Sequence, residues 1–404
     1  MNDSIIFIES NTSGTGRLFA RAAREQGLRP ILITDDPSRY KYVTEDAIDV
    51  LLRETRNEEA VLEECRRVAA SEHLVGVTSS SEYYVEIAAR VASRLGVQGP
   101  RPEAVRACRD KQKQRVLLRA AGCGVPRFSK ATSVKEAVTA SVGIGFPVVV
   151  KPVSGSGSVG VKLCANSDEV ARHAKDLLRQ RRNERGVALS RRILVESVAE
   201  GPEYLVEAFS NSIIGITKKY LGPPPHFVEV GHDYPAAVSD SARTAIEEAT
   251  LSALDALKLF WGPVHIELRL SEDGPKIIEV NPRLAGGYIP ELVRLASGID
   301  LISQTIRAVT GGQPKIEAQM NRHASISFIL PQQEGTLVSV EGIDKARQVA
   351  DVVEVRLYQE VGSRVFLRGD FRDRVGHVIS CSETDQAARY SVQTARKAIK
   401  LSVH

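Results

Sequence analysis

Short apolar runs recur along the N-terminal part of the chain, and each is followed by a stretch whose apolar residues return with helical spacing. Residues 4–9 (Ser-Ile-Ile-Phe-Ile-Glu) are the first run. A loop of small residues follows, and then a helical pattern over 17–27 that stops at Gly27. Residues 31–34 (Ile-Leu-Ile-Thr) repeat the theme ahead of Asp35 and Asp36. Residues 73–80 and 82–96 give a further run and a further helical pattern. Continuous apolar runs alternating with helical patterns predict a parallel sheet covered by helices, an α/β arrangement of Rossmann-like type.

From Arg101 the pattern changes. Helical spacing is predicted over 103–121, ending at Gly122, and again around 133–141. The run Phe146–Pro152 reads as a buried strand, followed by a glycine- and serine-rich loop and a short strand at 161–164. A charged helix is predicted from Ser167 to about Arg185. Strands follow around Val198–Pro202, then an amphipathic helix over 241–258. Strands at 265–270 and 276–281 flank the turn Ser-Glu-Asp-Gly-Pro, in which Asp-Gly is a good turn signal. Residues 291–312 read as helical, and the last ~90 residues mix short strands and helices. Three units are expected: 1–102, an α/β domain; 103–312, an α+β domain with a subdomain at about 110–197; and 313–404, an α+β region.

Composition narrows the class. The 404 residues are 43% hydrophobic and 26% charged, with a net charge of +4. Basic residues are interspersed with acidic ones, so no nucleic-acid surface is expected. The five cysteines are odd in number and form no Cys-x-x-Cys pair, which argues against a disulfide framework or a cysteine zinc site. No apolar stretch approaches the ~20 residues that cross a bilayer. The expectation is a cytoplasmic protein with no membrane partner.

Three constellations carry chemistry. The first is Ser154-Gly155-Ser156-Gly157-Ser158-Val159-Gly160, set between two predicted strands. A P-loop would sit between strand and helix and carry Gly-Lys-Ser/Thr. A β-loop-β flap of small residues can instead fold over a triphosphate with its backbone N–H groups, or be an ordinary hairpin loop. Lys151 ends the preceding buried strand, where an ammonium is costly unless it meets an anion. Lys111 is a second candidate.

The second constellation is the predicted hairpin. If Leu270 pairs with Lys276, Leu268 faces Ile278 and Glu267 faces Glu279. Glu267, Glu279, Asn281 and Arg283 then share one face, with Leu268, Ile278 and Val280 on the other. Facing carboxylates repel unless a cation lies between them. Two Glu and an Asn offer only oxygen, which suits magnesium shared with phosphates. The third constellation, Glu196 to Glu203, ends an apolar strand. It can offer backbone groups to a purine and a carboxylate to ribose.

Residues 109–115, 148–163, 193–207 and 265–288 resemble, in this order, the motifs of the ATP-grasp superfamily. The resemblance covers about residues 1–310 and extends more loosely beyond. It implies that Lys111, Lys151 and the flap (Ser154, Gly155, Ser156, Gly157, Ser158) contact ATP. It also implies that Glu196 and the Ala199 backbone meet adenine, and that Glu203 meets ribose. Glu267, Glu279 and Asn281 resemble the ligands of Mg2+, with Mn2+ as an alternative, and Arg283 resembles the arginine beside the reacting centre. Within the superfamily the chain looks like a carboxylate–amine ligase of the L-amino acid (dipeptide) ligase kind. Residues 223–236 resemble that group's substrate-side loop. They make His226, Glu229 and His232 candidates, with Gly286 and Gly287 leaving room beside Arg283; His232 as a plain surface-loop histidine stays open. The expected reaction is ATP-dependent amide formation through an acyl phosphate, from small carboxylate and amine substrates, an amino acid in at least one role. Dimers are common in the family, so a homodimer is an option that the chain itself does not specify. A biotin-carboxylase-like activity is the alternative within the family. Outside it stand a nicotinamide-dependent oxidoreductase and a non-catalytic nucleotide-binding module. The oxidoreductase would use Gly14 and Gly16, but Phe19 stands where its third glycine is needed.

Overall fold

The computed structural model describes residues 3–12, 15–155, 157–183 and 186–404. Gly14 of the first loop and Ser156 of the flap lie outside the described residues. Strands Ser4–Ile8, Arg29–Thr34, Asp49–Leu52 and Leu74–Thr78 form a parallel sheet, with Ser4–Ile8 between Arg29–Thr34 and Leu74–Thr78. Alternation along these strands decides what each face buries. Ile6, Ile8, Ile31 and Ile33 meet Leu62, Val68 and Val91 of helices Glu58–Ser71 and Val85–Leu95. Ile5, Phe7 and Leu32 share a second core with Phe19 of helix Thr15–Glu25 and with Leu292 and Ile306. The latter two belong to helices Ile289–Ser297 and Leu301–Val309, so the first sheet shares an apolar core with elements far along the chain. Gly16 starts its helix against the strand end: a Cβ there would lie 1.8 Å from Ser10 Oγ. The glycine serves a tight strand-to-helix turn.

Two antiparallel sheets follow. The smaller contains Phe128–Ala131, Ile193–Ser197, Val148–Pro152 and Lys162–Cys164 in that order. Val148, Val150 and Val195 pack with Ala137, Val170 and Ala174 of helices Val134–Ile144 and Ser167–Arg179. The larger sheet has eight strands in the order Gly274–Asn281, Pro263–Ser271, Glu203–Phe209, Ser212–Leu221, Glu229–Tyr234, His323–Ile329, Gly376–Ser382, Val352–Leu357. Strands from both sides of position 312 therefore join in one sheet. A three-stranded sheet of Arg364–Val365, Gly335–Glu341 and Lys400–Val403 completes the C-terminal region. Among the described residues no helix is long and apolar enough to cross a membrane.

The α/β class and the element order match expectation; four details differ. The helix predicted over 103–121 is two helices, Pro102–Arg109 and Lys111–Ala120, because Asp110 is extended and its carboxylate caps the second by accepting from Lys113 N–H. A side chain competing for the backbone in this way favours a new N-terminus over a continuous helix. The helix predicted over 291–312 breaks at Gly298, whose φ is +81°. The charged helix stops at Arg179 rather than about Arg185.

The fourth difference is the hairpin register. Glu267 does oppose Glu279, but Arg269 opposes Lys276 and Leu268 opposes Ile277, with an irregularity between Glu267 and Leu268. The expected pairs Leu270–Lys276 and Leu268–Ile278 are wrong because a bulge absorbs one residue. Consequently Ile277, not Ile278, joins Leu268 and Val280 in the core beneath helix Asp240–Leu257. Ile278 lines the cleft described next.

Candidate active site

Between the two antiparallel sheets lies a cleft of about 910 Å³, counting the space open to solvent. Five cations (Lys111, Lys151, Lys219, Arg269, Arg283) and five carboxylates (Glu196, Glu203, Glu229, Glu267, Glu279) line it. So does the flap, through Ser154, Gly155, Gly157 and Ser158.

Lys151 ends strand Val148–Pro152 and is buried. Its ammonium lies 2.5 Å from Glu196, whose other oxygen receives Arg115 Nε at 2.6 Å. Burial, reinforced by Arg115, holds the Lys151 pKa below the ordinary lysine value despite Glu196. For Glu196, burial opposes the charge, but Arg115 and Lys151 outweigh it and keep the carboxyl low. Lys111, at the start of its helix, reaches up to the flap: its ammonium donates to Gly155 O at 3.1 Å and to Glu279 at 2.7 Å.

Glu267 and Glu279 face each other across the hairpin, as expected, yet each already holds a lysine. Lys219 donates to Glu267 at 2.8 Å and also contacts Glu203 at 2.7 Å and Glu229 at 3.2 Å. Burial works against this ammonium, but the three carboxylates hold its pKa well above the usual value. Burial likewise opposes charge on Glu267 and Glu279; Lys219 with His265, and Lys111, outweigh it and keep both carboxyls low. His265 Nδ1 is 2.6 Å from Glu207, and its Nε2 is 3.6 Å from Glu267. Its burial is more than offset by these two carboxylates, which push the imidazolium up to about 9. Asn281 is fully buried opposite His265 and does not line the cleft; its Nδ2 has no hydrogen-bond partner among the described residues.

At the other end, Ser197, Val198 and Ala199 line the cleft, and Ala199 O accepts from Arg269 at 3.2 Å. Arg269 also donates to Glu203 at 2.9 Å. Arg283 follows the hairpin; its Nε donates to Glu82, which also pairs with Arg109. Burial lowers the pKa of both arginines, that of Arg109 to about 10.

Within residues 223–236 the segment Glu229–Tyr234 is a strand. His232 is fully buried in Glu229–Tyr234, so it is no surface-loop histidine. It lies 3.7 Å from Glu229, and burial keeps the imidazole's pKa below its ordinary value. Glu229 lines the cleft and binds Arg374 at 2.5 Å. Gly287 touches His232: a Cβ there would be 2.9 Å from Nε2. Gly286 faces open space, and His226 sits apart, against Gly369. His226, His232, Gly286 and Gly287 do not line the cleft itself.

Lys219, Glu82 and Arg374 belong to this constellation although no motif marked them, and Arg115 and His265 lay inside recognised motifs without being given a role. Lys219 had a signal: alternation along Ser212–Leu221 must bury one of Lys218 and Lys219. Glu82 follows a strand C-terminus, where α/β sheets bind ligands. Arg374 had none, because its partner Glu229 is 145 positions away.

Comparison with known proteins agrees with this arrangement. A profile of the ATP-grasp domain matches residues 144–291, and one of the L-amino acid ligase C-terminal domain 2 matches 327–404. The uncharacterized protein y4rH of Sinorhizobium fredii is 36% identical over 403 residues, covering 100% of this chain and 84% of that protein. The alanine–anticapsin ligase of Bacillus subtilis is 27% identical over 263 residues, 60% of this chain; the chain spans 56% of that relative's length. The crystal structure of an L-amino acid ligase from Bacillus licheniformis superposes with a TM-score of 0.82 at 21% identity, covering 100% of this chain and 99% of that one, and shows the same fold.

Proposed function

Because the chain belongs to the ATP-grasp superfamily, among the L-amino acid ligase-like carboxylate–amine ligases, we propose that it joins a small carboxylic acid to an amine at the expense of ATP, with an amino acid in at least one role. The observation that carries this reading is the convergence of Lys111, Lys151, Glu267, Glu279 and Arg283 in one cleft under the glycine-rich flap. The two halves of the site come from sheets that contribute opposite walls, as triphosphate clamping requires.

The ligand-free cleft pairs its own charges, so nucleotide binding is an exchange of partners. Lys111 and Lys151 would turn from Glu279 and Glu196 toward phosphate oxygens, and flap N–H groups would add donors to them. With Lys151 turned away, Arg115 still holds one Glu196 oxygen and the other is free for the adenine edge, beside the backbone of Val198 and Ala199. Glu203 is assigned to ribose. Glu267 and Glu279 suit a hard divalent cation, because their donors are oxygens and both carboxyls stay ionised, and the side-chain oxygen of Asn281 is the third candidate ligand. When bound, magnesium supplies charge neutralisation for the transferring phosphoryl group.

The substrate carboxylate takes up the γ-phosphoryl group, and the amine then attacks the carbonyl carbon and expels phosphate. Arg283 presents a planar donor fork to the developing oxyanion and to the departing phosphate. Glu82 and Arg109 keep that fork in place. Leu284-Ala285-Gly286-Gly287-Tyr288 beyond Arg283 contains no carboxylate to act on bicarbonate, which favours an organic acid.

The test is a phosphate-release screen over pairs of amino acids and small carboxylic acids, with mass spectrometry for products equal to both substrates minus water. Release that requires both partners, with an amide formed, is expected. Bicarbonate-dependent release stimulated by biotin, with no amide from any pair, would overturn the reading.

A further inference from the structure

Glu229 lines the same cleft as Arg283 and is held from the C-terminal region through Arg374. His232 is fully buried, and neither ring nitrogen has a hydrogen-bond partner among the described residues. Its nearest carboxylate, Glu229, stands at 3.7 Å, so both ring nitrogens keep hydrogen-bonding capacity that a ligand can take up. Gly287 packs against this ring, where a Cβ would come within 2.9 Å of Nε2, and the neighbouring Gly286 faces open space. Glu229, three residues earlier on the same strand, faces the cleft and is 20% exposed.

What fixes these two side chains comes from residues 367–374. Asp373 accepts the N–H groups of Arg368 and Gly369 at 2.8 and 2.7 Å, which folds this loop back on itself. The loop thus delivers Arg374 as a largely buried side chain. Arg374 Nη2 donates to the Glu229 carboxylate at 2.5 Å and to the Glu229 carbonyl at 3.3 Å. Its guanidinium lies 3.7 Å over the Phe328 ring, and Phe328 meets His232 edge to face at 5.8 Å. One arginine therefore holds the carboxylate directly and clamps the ring that sets the imidazole plane. It also joins Lys219 in sharing the Glu229 charge.

We propose that Arg374 is the positioning residue of the amino-acid subsite, orienting Glu229 and His232 so that an amino-acid substrate is captured between them and Arg283. The inference rests on the ligase reading above and adds to it that the C-terminal region governs recognition of that substrate. A lysine could supply the charge but not the flat guanidinium that stacks on Phe328.

The experiment compares Arg374→Met and Arg374→Lys with the wild-type enzyme. KM for the amino-acid substrate is expected to rise at least about tenfold in Arg374→Met and by less in Arg374→Lys, with KM for ATP within about twofold of wild type. The 15N resonances of the His232 imidazole, followed in histidine-labelled protein, should shift and broaden in both variants. Unchanged amino-acid KM with an unchanged His232 signal overturns the proposal. So does a parallel loss of ATP affinity and thermal stability in both variants, which marks a structural role only. If Arg374→Met does not fold, Arg374→Lys carries the comparison. If wild type forms no amide with any pair, the ligase reading fails separately, and the His232 resonance alone decides whether Arg374 positions it.

Discussion

The carboxylate of Glu82 binds the guanidinium of Arg283, 201 positions further along the chain, and holds Arg109 with its other oxygen. A residue that follows a strand of the N-terminal parallel sheet thus fixes the arginine proposed to face the reacting carbonyl. Glu82→Gln keeps the shape but removes the charge that sets the arginine's orientation. It should lower kcat at least about tenfold, ~1.4 kcal/mol, with little change in ATP affinity. Steady-state kinetics with nucleotide titration checks this; an equal loss in ATP affinity would move the effect from Arg283 to the fold.

Glu279→Gln should abolish turnover and leave the secondary structure intact. The amide still accepts from Lys111 but no longer supplies the anionic oxygen a hard cation needs. Circular dichroism and turnover across a magnesium series give the readout. Turnover undiminished at every magnesium concentration would remove Glu279 from the metal assignment.

Lys151→Ala removes one of the two cations on buried Glu196. ATP affinity or kcat should fall at least about tenfold. Some thermal stability should go too, because a buried carboxylate loses a partner. Unaltered affinity and kcat would confine Lys151 to a structural role.

His265 gives a pH prediction. Its folded pKa of about 9 lies above that of an unfolded histidine, ~6.5. The folded state therefore binds the proton more tightly. This stabilisation is complete below ~6.5 and is lost as pH rises through about 9. In metal-free buffer, denaturant midpoints should decline over that interval, and His265→Gln should flatten the decline. An identical slope in the variant would show that Glu207 and Glu267 do not hold a proton on His265.

Much of this fold was legible because local pattern and global placement coincide. The first sheet's strands are continuous apolar runs, which is what a sheet buried on both faces requires. The flap and the facing pair Glu267 and Glu279 could be read from a local motif and from hairpin alternation. The bulge beside Glu267 was not legible, since which residue a strand leaves unpaired depends on its neighbours on both sides. Lys219, Glu82 and Arg374 were missed for a related reason. Each makes an ion pair with a residue 48 to 201 positions away, and sequence spacing carries no record of such contacts.

The eight-stranded sheet has a practical consequence for anyone dividing or recombining this protein. Its hydrogen-bond ladder runs without a gap from the hairpin bearing Glu267 and Glu279, through Glu229–Tyr234, to the C-terminal strands His323–Ile329 and Gly376–Ser382. A chain cut after residue 312 would leave Glu229–Tyr234 as a raw, unpaired edge and strip Arg374 from Glu229 at once. Grafting a relative's C-terminal segment onto this catalytic part would succeed only if the new strands entered in the same register, with Ser325 opposite Asp233 and Ser327 opposite Gly231. Chimeras that respect that seam should exchange amino-acid preference as a block, and those that ignore it should aggregate through the bare edge.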